Sequence, residues 1–176
     1  LVGTYGNLVH RVLTLVQRHF EGRMPEPEGG LDPRSQDVAA WADEALREAG
    51  QHLAACRFRA ALNVNMSLAR ETNRYLEDRA PWKTVSQDRA ETARTLYTAV
   101  VAIGALRTLM YPFLPFSSQK LHEMLGFDGS VQDAGLVPHP PPVGQKMQPP
   151  QPLFTKLDEE EVVQREMSRL GLTGSG

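Results

Sequence analysis

Up to Leu125, apolar residues recur at intervals of three and four, the period of amphipathic helices rather than strands. From Leu1 to Phe20 the repeat runs through Leu8, Val12, Leu15, Val16 and Phe20, and Gly22 supplies a stop. The stretch from Glu21 to Pro33 reads as a turn-rich loop. A second helix is predicted to start between Asp32 and Ser35, with Asp32 or Ser35 as cap and Pro33 in its first turn. It carries Val38, Trp41, Ala42, Ala45, Leu46, Ala49 and Leu53 inward, and Gly50 weakens it locally. A third helix runs from about Arg57 to Arg79, with Phe58, Ala61, Leu62, Met66, Leu68, Ala69, Thr72 and Tyr75 on its apolar side. A fourth, about Ser86 to Met110, is apolar over most of its circumference, which marks it as the central helix, and Pro112 ends it. A short fifth helix, about Ser117 to Leu125, stops at Gly126.

Beyond Gly126 the texture changes. Seven of the 13 prolines fall between Pro138 and Pro152, so no core can form there and an extended linker laid over the bundle is expected. Pro152-Leu153-Phe154 is an apolar anchor. Asp158 then caps a terminal helix to about Leu170, and Thr173 to Gly176 is expected to be disordered. Long helices with short links favour an all-α, antiparallel up-and-down bundle. The expected organisation is the bundle over 1–126, a Pro-rich linker returning over it at 127–157, and a C-terminal helix with a loose end at 158–176.

Composition narrows the function. At 176 residues and 41% hydrophobic, the chain can bury one good core. Its formal net charge of -2 gives no global basic field, so any RNA contact must be local and selective. A single Cys56 excludes an internal disulfide and a multi-Cys metal site, and fits a reducing cytosol. No apolar run is long enough to span a membrane, and no signal peptide is legible. The opening on Leu1, inside an apparent helix and without Met, reads as a piece of something longer.

Catalytic chemistry is hard to find. Gly3 to Gly6 lacks the Lys-Ser/Thr ending of a phosphate loop, and no strand precedes it. His10, His19, His52, His122 and His139 are scattered, without zinc-site spacing. Asp43-Glu44 and Asp158 to Glu161 read as solvated helix faces or caps, and Ser117-Ser118 as a helix cap. The chain is not expected to catalyse a reaction alone.

Two features suit nucleic acid instead. In Asn73-Arg74-Tyr75-Leu76-Glu77-Asp78-Arg79-Ala80-Pro81-Trp82, Pro81 stops a charged helix and Trp82 stands at its exit, with Arg74, Arg79 and Lys83 around it. A fixed aromatic face beside cations can stack on an unpaired base while the charges meet phosphates. A core aromatic capping the bundle is the plainer alternative. On the first helix, Asn7 and Arg11 lie four residues apart and Arg18 eleven from Asn7, so the three share a face. An amide and a guanidinium fork together can read a base edge, although an ordinary solvated face has the same spacing.

At these residues the chain resembles the methionyl-tRNA synthetases. Asn7-Leu8-Val9-His10-Arg11, Asn73-Arg74-Tyr75-Leu76 with Pro81-Trp82, Tyr111-Pro112-Phe113-Leu114-Pro115, and Pro152-Leu153-Phe154-Thr155-Lys156-Leu157-Asp158 follow the family's C-terminal anticodon-binding domain in order. Each motif is modest alone, and their order makes the match fairly specific. The resemblance implies recognition of the CAU anticodon of methionine tRNAs. Asn7 and Arg11 would contact anticodon bases, Trp82 would stack on them, Pro81 would shape the corner, and Arg18 would extend the face. The partners implied are the anticodon stem-loop and a catalytic domain of the same polypeptide in the cytoplasm. That domain, outside this chain, would carry the two ATP signatures and any zinc knuckle. Both signatures are absent here, and Lys146-Met147-Gln148-Pro149-Pro150 is assigned nothing. A non-enzymatic helical tRNA-binding or protein-interaction module is the alternative from another class.

Overall fold

A computed structural model describes residues 1–155 and 159–170, and no β-strand occurs among them. The chain does not open on a single helix. Val2–Gly6 winds as a wide π-helix, and α1 proper spans Asn7–His19, burying Leu8, Val9, Val12, Leu13, Leu15 and Val16. The N–H of Gly22 (φ 67°) donates back to the Val16 carbonyl at 3.2 Å, which closes the helix end as the glycine predicts.

Helix α2 (Pro33–Ala54) starts where the sequence places it: Asp32 accepts from the N–H groups of Arg34 and Ser35, with Pro33 in the first turn. It passes through Gly50 without a break, and Trp41 and Leu53 are half-buried rather than core. Helix α3 (Phe58–Arg79) returns after a three-residue turn and buries Ala61, Asn65, Leu68, Ala69, Thr72, Tyr75 and Leu76. Phe58, expected on the buried side, is 56% exposed, because it is the first residue of α3 and lies on the bundle's end.

One turn, α4 (Pro81–Thr84), precedes α5 (Arg89–Leu109). Helix α5 begins later than Ser86 because Asp88, not Ser86, caps it, accepting from the Glu91 N–H. It is buried nearly all round from Thr92 to Leu109, which makes it the central helix. Its direction opposes α3: Asn65 donates to the Leu109 carbonyl at 2.7 Å, while Arg79 pairs with Glu91 at the other end. Helices α2, α3 and α5 pack on one another, with α1 across α5 and α3.

Helix α6 (Pro115–Met124) starts on its proline, so Ser117 and Ser118 lie inside it and cap nothing. Residues 127–155 then cross the bundle without helix. The crossing is stitched down: Met24 N–H to Gln145 O at 2.9 Å, Met147 N–H to Gly22 O at 2.7 Å, and Gln148 N–H to Met124 O at 2.9 Å. Met147, to which the sequence assigned nothing, is therefore core, at 2% exposure. Gly126 (φ 80°) permits this crossing, since a Cβ there would lie 2.1 Å from the Lys146 carbonyl oxygen. Helix α7 spans Glu159–Arg169 and leaves Val163 and Met167 exposed. The expected Asp158 cap and the loose end from Thr173 lie outside the described residues.

Candidate nucleic-acid interface

The helical period puts Asn7, Arg11 and Arg18 on the outer side of α1, and the fold decides what each meets. Asn7 and Arg18 are exposed and Arg11 is half-buried. Arg11 reaches across to α3, where Nη2 donates to Asn73 Oδ1 at 2.9 Å. The Asn73 amide has one possible orientation there. Its Nδ2 donates to the carbonyls of Thr4 and Ala69, each at 2.9 Å, so Oδ1 must face Arg11. The same guanidinium lies 5.6 Å from the Trp82 ring centroid, within cation–π reach. Arg11 and Trp82, separated by most of the bundle in sequence, thus form one unit.

Trp82 owes its place to a sharp corner. Helix α3 ends at Arg79, Ala80 takes the left-handed region (φ 43°, ψ 57°), and buried Pro81 opens α4 with Trp82 as its second residue. The residue is 41% exposed, so Trp82 is not the core aromatic that its sequence position also allowed. It presents a face to solvent with Arg11 against it.

The expected ring of cations is smaller than the sequence suggests. Arg79 faces inward: Nη1 pairs with Glu91 Oε1 at 2.6 Å, Nη2 pairs with Asp32, and its guanidinium lies 5.7 Å from the Tyr75 ring. Arg74 pairs with Glu71 at 3.3 Å. Lys83 stays exposed beside Trp82. Arg18 sits about 10 Å further along α1 than Arg11, two turns on.

A cleft continues the site past Asn7. Val2, Gly6, Asn7 and His10 form one wall and Pro152, Leu153 and Phe154 the other, enclosing 240 Å³. Phe154 reaches this position because residue 6 is glycine: a Cβ there would lie 2.9 Å from its ring. Its other edge rests on Tyr5, with centroids 6.1 Å apart at 65°. Burial pushes the Tyr5 hydroxyl well above the usual phenol range, so it stays neutral. Sequence reasoning missed the roles of Asn73 and Phe154 at this surface. Both stand in the motifs quoted above, but their partners are distant in sequence.

The surface combines an amide, an oriented guanidinium and two aromatic faces, which suits planar unpaired bases and their phosphates. Among the described residues no group of three His, Cys, Asp or Glu could hold a metal ion, and no helix is long and apolar enough to cross a membrane.

Comparison with known proteins gives the family. Residues 25–171 match the family described as the anticodon binding domain of methionyl tRNA ligase. A methionine–tRNA ligase of Dehalococcoides mccartyi is 48% identical over 98% of this chain and 31% of its own length. One of Thermomicrobium roseum is 39% identical over 97% of this chain and 33% of its own. The chain thus spans about a third of the curated relatives it matches. Among solved structures, apo methionyl-tRNA synthetase of Mycobacterium tuberculosis superposes with a TM-score of 0.80 at 25% identity, over 90% of this chain and 32% of that one. The same organism's enzyme bound by methionyl-adenylate gives 0.79 at 26%, over 88% and 31%. With most of its length matched by the family and its helices arranged as in those enzymes, the chain belongs to the anticodon-binding domains of the methionyl-tRNA ligases.

Proposed function

We propose that this chain reads the CAU anticodon of methionine tRNAs. The reading is carried by one observation: Arg11 is held by Asn73 with its guanidinium against a half-exposed Trp82. A base stacked on the open part of the Trp82 ring would bring its edge to Arg11 and Asn7, which can match donors and acceptors, while Lys83 and Arg18 meet the backbone phosphates. The cleft between Asn7 and Phe154 supplies a second aromatic face for a neighbouring base. Family membership favours this over a free-standing interaction module.

In this reading the chain works in a cytosolic methionine–tRNA ligase, whose other part binds ATP, activates methionine and transfers it to the tRNA. That part would lie in the same polypeptide, since this chain matches only 31% of the length of a methionine–tRNA ligase relative. This chain contributes recognition and no covalent step, so its own residues need only orient bases and exclude water around them.

The test compares a CAU anticodon stem-loop with one whose first anticodon base is changed. Asn7→Ala and Arg11→Ala should narrow the affinity gap between the two, since base-edge readers relax specificity. Parallel weakening of both stem-loops, with a shallower salt dependence, would reduce these residues to backbone contacts and refute the reading.

A further inference from the structure

The corner that presents Trp82 holds a backbone conformation that needs support. Ala80 bears a Cβ yet sits at φ 43°, ψ 57°, and stands directly before Pro81, whose ring restricts it further. A backbone in so sparsely populated a region persists where its surroundings over-determine it. Ala80 is bonded locally, its N–H to the Leu76 carbonyl at 2.9 Å and its own carbonyl to the Lys83 and Thr84 N–H groups at 2.8 and 3.2 Å, and the residue that ties this corner to the neighbouring helices is Arg79, the last of α3. One arm pairs with Glu91 in the first turn of α5 and the other with Asp32, the cap of α2. Asp32 is braced by the Ser35 hydroxyl at 2.6 Å, which also bonds the Tyr75 hydroxyl at 2.7 Å, and Glu91 takes a second cation, Arg94, at 2.9 Å. On the far side of Trp82, the Thr84 and Thr92 hydroxyls meet at 2.9 Å and tie the end of α4 to α5. The tryptophan turn is therefore bracketed at both ends, and Arg79 is the bracket that spans three helices.

We propose that Arg79 is a positioning residue for anticodon recognition: it fixes the Ala80–Pro81 corner and so the direction of the Trp82 ring. The inference rests on Trp82 being the stacking platform proposed above. With both arms taken and its side chain 25% exposed, Arg79 is not itself a phosphate contact.

The experiment uses a Trp41→Phe background, which leaves Trp82 as the one tryptophan of the chain's two. Arg79→Gln should weaken binding of the CAU stem-loop at least about threefold and raise acrylamide quenching of Trp82 in the RNA-free protein. Arg79→Lys, a point charge that keeps one pair of the two, should recover part of both effects. In a Trp82→Ala background Arg79→Gln should add no further loss, because the two act through one contact. Equal weakening with and without Trp82, or a salt slope reduced by about one, would make Arg79 a direct or merely stabilising residue and overturn the proposal. If Arg79→Gln fails to fold, Glu91→Gln, which breaks one arm, should show the same coupling to Trp82, and its absence overturns the proposal equally. If Trp82→Ala binds the stem-loop as tightly as the parent, the stacking platform itself fails, and unchanged Trp82 quenching in RNA-free Arg79→Gln separately refutes the clamp.

Discussion

Asn73→Ala probes the site without replacing any residue proposed to meet the RNA. Asn73 makes three side-chain hydrogen bonds, to Arg11, Thr4 and Ala69, and the one from Arg11 is charge-assisted. Taken alone, these are worth about 1.5–3 kcal/mol for the charged bond and about 1 kcal/mol for each neutral one. Arg11 and Asn73 are partly open to water, which re-satisfies much of what is lost, so a net destabilisation of about 1.5–2.5 kcal/mol is expected. For a domain of this size that lowers the melting temperature by about 3–10 °C. The effect on binding is separate. Once freed, the Arg11 fork must be ordered by the RNA, and its rotamer freedom is worth up to about 2 kcal/mol. Affinity for the CAU stem-loop should therefore fall by about three- to thirty-fold, with a smaller loss for a stem-loop altered at the first anticodon base. Circular dichroism melting and fluorescence titration on one preparation measure both. Unchanged discrimination between the two stem-loops, at any melting temperature, would refute the argument that Asn73 aims Arg11.

Trp82→Ala should cost about 1–3 kcal/mol of stem-loop binding, and less melting temperature than truncation of a fully buried tryptophan, since 41% of the residue is already exposed; lost melting temperature with unchanged affinity would sink the stacking role. Arg107 is buried at 1% exposure, with His122 Nδ1 at 3.3 Å and the Phe127 ring at 4.3 Å as its company and, among the described residues, no carboxylate paired to it, and burial pushes its guanidinium down to about 10. Arg107→Met should therefore hold stability or raise it, by up to about 4 kcal/mol, and a loss above about 1 kcal/mol in chemical denaturation would show the charge to be compensated. Burial alone would raise the Asp32 carboxyl, but Ser35's hydroxyl and N–H and the Arg79 charge outweigh it and hold it below the usual carboxylate range. The stability this contributes is present above about pH 4 and is lost as pH falls through the folded value, so the parent should lose stability more steeply on acidification than Asp32→Asn, which keeps an N-cap; parallel acid-melting curves would contradict this.

Much of this molecule is written in its local sequence. The three-and-four spacing on α1, α2 and α3 fixes which side of each helix is apolar, and Pro33, Pro81, Gly22 and Gly126 fix where helices start and stop, because these constraints act within a turn or two of chain. The same locality makes the shared face of Asn7, Arg11 and Arg18 legible, and the break before Trp82. The family resemblance rests on motifs of this kind. What local pattern does not reach is the meeting of faces. Arg11 finds Asn73 across 62 positions and Arg79 finds Asp32 across 47, so one arginine joins the proposed interface and the other, nearer Trp82 in sequence, is withdrawn from it. Met147 becomes core because a strap bonds to Gly22 and Met124, and Phe58, at the bundle's end, turns outward although Ala61 in the same turn is buried. Periodicity states what a helix can bury. Whether a given side chain is buried, paired or left for a ligand depends on long-range packing, where the entropy of closing each loop is offset only once all the helices are in contact.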